Sequence, residues 1–326
     1  MWMRIETRLT QQLGIRHPII LAPMGTAAGG ALASAVTNAG GLGLIGGGYG
    51  DAPWIEQQFR EAGNTRIGGG IITWSLAQAP HLLDVMLAHK PAAMFLSFGD
   101  PRPFAPAIKA SGALLFCQVQ SRNDCIEALE AGADVIVAQG TEAGGHGARR
   151  ATITLVPEIA DLLTREAPET LLCAAGGIAD GRGLAAALAL GADGVVVGTR
   201  FWAAAEALVH PNVQTAGVEA TGDDTLRTSS TDIVRERYWP DRFNIRVVRN
   251  AFTDRWHGKE DELRANRPPE TQRVHAAIAS GDPSFAPIIA GEALGLIDAV
   301  EPAETIMSRM VQEAADILRS TARLVR

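Results

Sequence analysis

Residues 134–140 read DVIVAQG: an aspartate, four apolar residues in a row, then glutamine and glycine. A strand covered on one face alternates apolar and polar residues, whereas one covered on both faces is apolar at nearly every position. The run therefore reads as a strand buried between two layers, as in a parallel sheet. Similar runs stand on either side of it: PIILAPM (18–24), LGLIGG (42–47), RIGGGIIT (66–73), AAMFLSF (92–98), ALLFCQV (113–119), LLCAAGGI (171–178) and DGVVVGT (193–199). Ala- and Leu-rich amphipathic stretches separate them, among them GGALASAVTNAG, PWIEQQFREAG, SRNDCIEALEAG and DGRGLAAALALG. The last two open on a Ser or Asp cap and close on Gly. Eight β-then-α units within roughly 200 residues predict an α/β fold, a (β/α)8 TIM barrel with its active site at the C-terminal ends of the strands.

Composition narrows the function. The 326-residue chain is 47% hydrophobic and 20% charged, which permits a large core. Lys+Arg 29 against Asp+Glu 36 leaves a net charge of −7, arguing against general affinity for nucleic acid or an anionic membrane. Cys117, Cys125 and Cys173 form no C-x-x-C pair, which suits a reduced, cytoplasmic protein. The opening MWMRIETRLTQQLG has no apolar signal region, and no apolar run approaches the roughly 18–20 residues that span a bilayer. The expected partner is a small molecule, with no nucleic acid and no membrane; a homodimer is the assembly to test.

Past Val209 the rhythm changes. Glu219 to Phe285 carries ten arginines, the pair Pro268-Pro269, and helical patterns without short all-apolar runs. Residues 209–290 are expected to form a mostly helical subdomain inserted after strand eight, with 1–208 and 291–326 forming the barrel. The closing PAETIMSRMVQEAADILRSTARLVR has an apolar helical stripe that predicts the barrel's last helix. Acidic residues (Glu236, Asp241, Asp254, Glu260, Asp261, Glu262) are interleaved with the arginines, so a charged exterior face is expected there.

Glycines mark the strand ends. GGLGLIGGGYG contains a formal G-x-G-x-x-G at Gly41, Gly43 and Gly46, but the preceding stretch is helical and the glycines run through strand two, so the dinucleotide fingerprint is rejected. The alternative is that they let a flat ring approach the backbone. AQGTEAGGHG after strand six, AAGGIADGRG after strand seven and VVGTRF after strand eight lie where this fold binds phosphate. Amides of Gly176, Gly177, Gly198 and Thr199 are the candidate donors, with a helix N-terminus adding its field. His17, His81, His89, His210, His257 and His275 show no metal-binding spacing, and no G-x-S-x-G element is present.

The strings AQGTEAGGHG, AAGGIADGRG with ALGADGVVVGTRF, and HPIILAPMG with its downstream NAGGLG resemble the nitronate monooxygenase (2-nitropropane dioxygenase) family of FMN-dependent barrel enzymes. GGLGLIGGG and the TRF…HPN segment are similar to the FMN-dependent enoyl-ACP reductases, and related quinone reductases share the pattern. The resemblance implies that Ala22, Pro23, Met24 and Gly25 border the flavin ring, with Gly70 beside it. Gln118, Gln139 and Gly140 would reach the ring or ribityl chain, and Gly144, Gly145, Ala175, Gly176, Gly177, Gly198 and Thr199 would hold chain and phosphate. His146 occupies the position of the family's active-site histidine. An imidazole can take the α-proton of a nitroalkane or, protonated, hold a nitronate oxygen.

The implied reaction is oxidation of a nitronate by O2 to a carbonyl compound and nitrite. The alternative is NAD(P)H-dependent reduction of an enoyl thioester or quinone. Two positions depart from the family pattern: Gly70 stands where relatives carry asparagine, and Glu292, in AGEALGLI, replaces a glutamine. Glu142 has three readings, orienting His146, capping a helix or, as is commoner for a loop glutamate, being solvated; Arg149 and Arg150 are read as solvated.

Overall fold

The computed structural model describes residues 4–321 and 324. Among these residues eleven strands form two sheets: β1 Ile19–Leu21, β2 Leu44–Gly46, β3 Gly68–Ile72, β4 Ala93–Ser97, β5 Leu114–Val119, β6 Val135–Gln139, β7 Gly145–Gly147, β8 Leu171–Ala175, β9 Gly194–Val197, β10 Thr225–Thr228 and β11 Asn244–Val248. The large sheet is parallel throughout, in the order β1-β9-β8-β6-β5-β4-β3-β2. Its ends meet where Ile20 bridges Leu42, with the Leu21 amide donating to the Leu42 carbonyl at 2.9 Å. The chain thus forms the TIM barrel that the strand runs predicted, and all eight expected strands are present.

The two-fold period of a strand explains why those runs are apolar on both sides. In β6, Val135 and Val137 turn into the barrel beside Phe95, Phe116, Leu171 and Cys173, while Ile136 and Ala138 turn outward against the helices. Burying both faces leaves no position for a polar residue except at the strand ends, where the site is built. Leu9 and Leu13 of the first helix, Arg8–Leu13, join the interior cluster. Ser121 caps the helix Arg122–Glu130 and Asp180 caps Gly181–Ala189, each accepting from a backbone amide three residues on. The final helix, Ala303–Thr321, returns to the barrel: Glu313 accepts from the Gly181 amide at 3.0 Å. No described helix, this one included, is long and apolar enough to cross a membrane.

The region after strand eight is mostly helical, as expected, and adds two strands. It holds helices with a small core of their own, Val234, Phe252, Trp256, Leu263 and Val274. It also contributes β10 and β11, which form an antiparallel sheet with β7, the strand that carries His146. The short β11, NIRVV, was hidden because Arg246 interrupts its apolar run.

The glycines of strand two have a packing explanation. A Cβ on Gly43 would lie 1.9 Å from the Ala33 carbonyl oxygen, and one on Gly46 2.2 Å from that of Met24. Backbone packing thus requires glycine at both positions.

Candidate active site

The C-terminal ends of the strands gather the expected residues on one face. β1 is followed by the half-exposed Ala22, Pro23 and Met24 and then an exposed Gly25. Met24 Sδ lies 3.7 Å from where a Gly198 Cβ would stand, so the first and last strand ends meet. Pro23 lies over Gly70: a Cβ there would come within 2.5 Å of its ring. An asparagine at position 70 would therefore displace the 22–24 turn, which gives a local reason for glycine. Two non-glycine residues at this end, Thr26 (φ 65°) and Phe98 (φ 63°), hold left-handed backbone, a strain that concentrates at functional loops.

Three glutamines support the loop that bears His146. Gln139 Oε1 accepts from Gln118 Nε2 and from Gln120 Nε2, both at 2.6 Å, and Gln139 Nε2 donates to the His146 carbonyl at 3.2 Å. Gln118 and Gln139, each expected at a strand end, hydrogen-bond to one another there, and Gln120, which the sequence reading did not single out, joins them. Its signal was present: Gln118 and Gln120 are two residues apart, hence on one side of an extended chain.

His146 is buried and flanked by residues of the insertion. Its Nε2 lies 2.9 and 3.0 Å from the two carboxylate oxygens of Asp232, with side chains only 8% and 6% exposed. The Trp239 indole stacks on the imidazole at 3.5 Å between centroids and 9° between planes. Trp239 belongs to an aromatic cluster with Tyr49, Trp74, Phe98 and Phe243, and its Nε1 donates to the Tyr49 hydroxyl at 2.9 Å. Burial pulls the His146 pKa below the usual histidine value; Asp232 opposes this, while Arg235 and Arg227 add to it. Three buried polar atoms, Thr73 Oγ1, Trp74 Nε1 and Thr231 Oγ1, have no protein partner among the described residues.

The 140–150 loop is clamped from outside. Arg227 and Arg246, paired across β10 and β11, both donate to the Thr141 carbonyl, at 2.8 and 3.0 Å. Burial, with the positive charge of Arg246 beside it, pushes the Arg227 guanidinium down to about 10. These arginines are not an exterior face, which corrects that reading. Glu292 pairs with Arg246 at 2.8 Å, so its charge is balanced within the protein. Glu142 accepts from the Thr152 amide (2.9 Å) and hydroxyl (2.8 Å), capping the helix Thr152–Glu166 rather than touching His146. Arg150 pairs with Glu158 and Arg149 is exposed.

The phosphate position fits an anion in part. Gly176 (φ 100°) and Gly177 (φ 73°) turn in left-handed conformations, and neither amide donates to a protein acceptor among the described residues. The Thr199 hydroxyl accepts from the Gly291 amide at 2.9 Å and keeps its own hydrogen to donate. Gly140 and Gly144 have a different use: a Cβ would meet Thr152 Oγ1 at 2.0 Å and the Ala290 carbonyl carbon at 2.5 Å, respectively. Gly145 (φ 74°) supplies the turn into β7, and Ala175 closes β8. The donor set of free amides and one hydroxyl suits a phosphate dianion such as that of FMN. All three cysteines are free and buried; burial pushes the Cys117 and Cys125 thiols up to about 12, so neither is a nucleophile. No cluster of His, Cys, Asp and Glu among the described residues could hold a metal.

A family model for nitronate monooxygenase matches residues 6–65 and 72–313. The chain belongs to the nitronate monooxygenase family. It is an oxidoreductase of that flavoprotein family. It is 34% identical to a nitronate monooxygenase of Neurospora crassa, covering 93% of this chain and 91% of the relative. It is 26% identical to an octahydroindene-carboxyl-CoA dehydrogenase of Mycobacterium tuberculosis, across 99% of this chain and 100% of the relative. Among solved structures it is similar to FabK from Thermotoga maritima, with a TM-score of 0.85 and 30% identity over 98% of this chain and 100% of that one. A nitroalkane oxidase from Streptomyces ansochromogenes shares the fold, with a TM-score of 0.79 at 24% identity over 95% of this chain and 99% of that one.

Proposed function

We propose that this chain uses FMN to oxidise alkyl nitronates with O2, giving a carbonyl compound and nitrite, with His146 as the proton-exchanging or anion-holding group. The observation that carries the reading is the His146 imidazole, buried beyond the sixth barrel strand with one nitrogen engaged by Asp232 and the other unengaged among the described residues. The nitronate monooxygenase family match supports the reaction class. FMN, when bound, supplies the electron-accepting chemistry. The protein's part is positional. Ala22, Pro23, Met24 and Gly25 would border the ring, and Gly176, Gly177, Gly198 and Thr199 would hold the phosphate. Gln139 steadies the backbone of His146 through its carbonyl. The aromatic rings around Trp239 exclude water from the histidine's surroundings, which strengthens any charge interaction made there.

A second reading, NAD(P)H-dependent reduction of an enoyl thioester or quinone on the same cofactor, is favoured by two observations. The similarity to FabK is at least as high as that to the nitroalkane oxidase, and Gly70 lacks the family asparagine. Anaerobic mixing separates the two. The flavin-loaded protein is combined in parallel with a nitronate and with NAD(P)H, and flavin bleaching is followed. Bleaching by the nitronate is expected; rapid bleaching by NAD(P)H alone would replace the first reading with the second.

A further inference from the structure

Asp232 engages one ring nitrogen of His146 and leaves the other free: no hydrogen bond reaches Nδ1 among the described residues. A carboxylate only accepts, so Nε2 carries the hydrogen and the lone pair is on Nδ1. Both oxygens of Asp232 face Nε2 at 2.9 and 3.0 Å, and Trp239 stacks parallel to the ring. The carboxylate therefore fixes the ring's rotation and the indole fixes its plane.

We propose that Asp232 is a positioning residue that holds His146 as the Nε2–H tautomer, making Nδ1 the atom that exchanges a proton with the substrate. Only the identity of the substrate rests on the nitronate reading. For a neutral nitroalkane, Nδ1 takes the α-proton. The C–H pair becomes a C=N bond, one N=O π pair moves onto oxygen, and the products are a nitronate and an imidazolium. The new positive charge faces Asp232 on the helix Ser230–Val234, Arg235 just beyond that helix, and Arg227 on β10. Of these three, the carboxylate alone favours the cation, so Asp232 both orients the base and offsets the charge it acquires.

Replacing Asp232 by Asn keeps the shape but gives an amide that can donate as well as accept, so the tautomer is no longer fixed. In the flavin-loaded parent labelled with 15N-histidine, Nδ1 of His146 is expected to give the signal of an unprotonated nitrogen. In Asp232→Asn that signal is expected to move toward the protonated form. For a neutral nitroalkane, kcat/KM is expected to fall about 10²-fold in the variant with flavin content unchanged. For a preformed nitronate, which has already lost the proton, it is expected to stay within about threefold of the parent. A protonated Nδ1 in the parent overturns the proposal without recourse to any variant. Equal losses with both substrates overturn it as well, since a merely structural role would affect both. If the parent turns over neither substrate, the nitronate reading fails while the nitrogen spectra still decide the role of Asp232.

Discussion

The barrel buries hydrocarbon on both faces of its strands, Val135 and Val137 inside and Ile136 and Ala138 outside, and keeps polar groups at the strand ends. The insertion buries charge: Asp232, Arg246 and Glu270 are each less than 9% exposed, and each is met by a partner. The difference has a physical consequence. Apolar burial is non-directional and follows a local period, whereas a buried charge must meet a specific partner from elsewhere in the chain. The site lies where the two regimes touch, with His146 on a barrel loop and Asp232 on the insertion.

Substitutions can break this contrast from either side. The largest effect is expected in the barrel: Gly43→Ala places a methyl 1.9 Å from the Ala33 carbonyl oxygen. Backbone must move to admit it, at a cost of about 3 kcal/mol in urea unfolding. In the insertion, Arg246→Met leaves the Thr225 hydroxyl and the Glu292 carboxylate without their partner. A loss of about 2 kcal/mol is expected, measured the same way. An unchanged midpoint in either variant would remove that half of the contrast.

A gentler change follows from pH. Burial holds the folded pKa of both His146 and His17 below the ordinary 6.5, so below that pH the unfolded chain binds more protons than the native one. Stability should therefore fall as pH drops from 6.5 through the lowered folded values, and His17→Gln should reduce the slope. A stability that rises on acidification over that range would contradict the sign. The smallest effect belongs to the exposed pair Arg60–Glu56, 3.7 Å apart, where Arg60→Ala should change unfolding by less than about 0.5 kcal/mol.

The same contrast decides what could be read from the sequence. The eight barrel strands were legible because each is a continuous apolar run, and the caps Ser121 and Asp180 because capping is local. His146 was legible through its glycine neighbours and the resemblance they carry. Asp232 and Trp239 were not, because they lie 86 and 93 residues beyond the histidine and no local period ties them to it. β7 is the three residues GHG, without an apolar side chain, and Arg246 broke the pattern of β11. The buried arginines were read as surface because interleaved signs look alike in a solvated face and in a paired interior.

On the proposed reading, the barrel holds the cofactor while His146, set by the insertion, carries out the proton chemistry. Replacing His146 by Ala tests this most directly, with flavin content and nitroalkane turnover measured on one sample. Full flavin occupancy is expected, with turnover reduced by about 10²-fold or more. Undiminished turnover at full occupancy would contradict it.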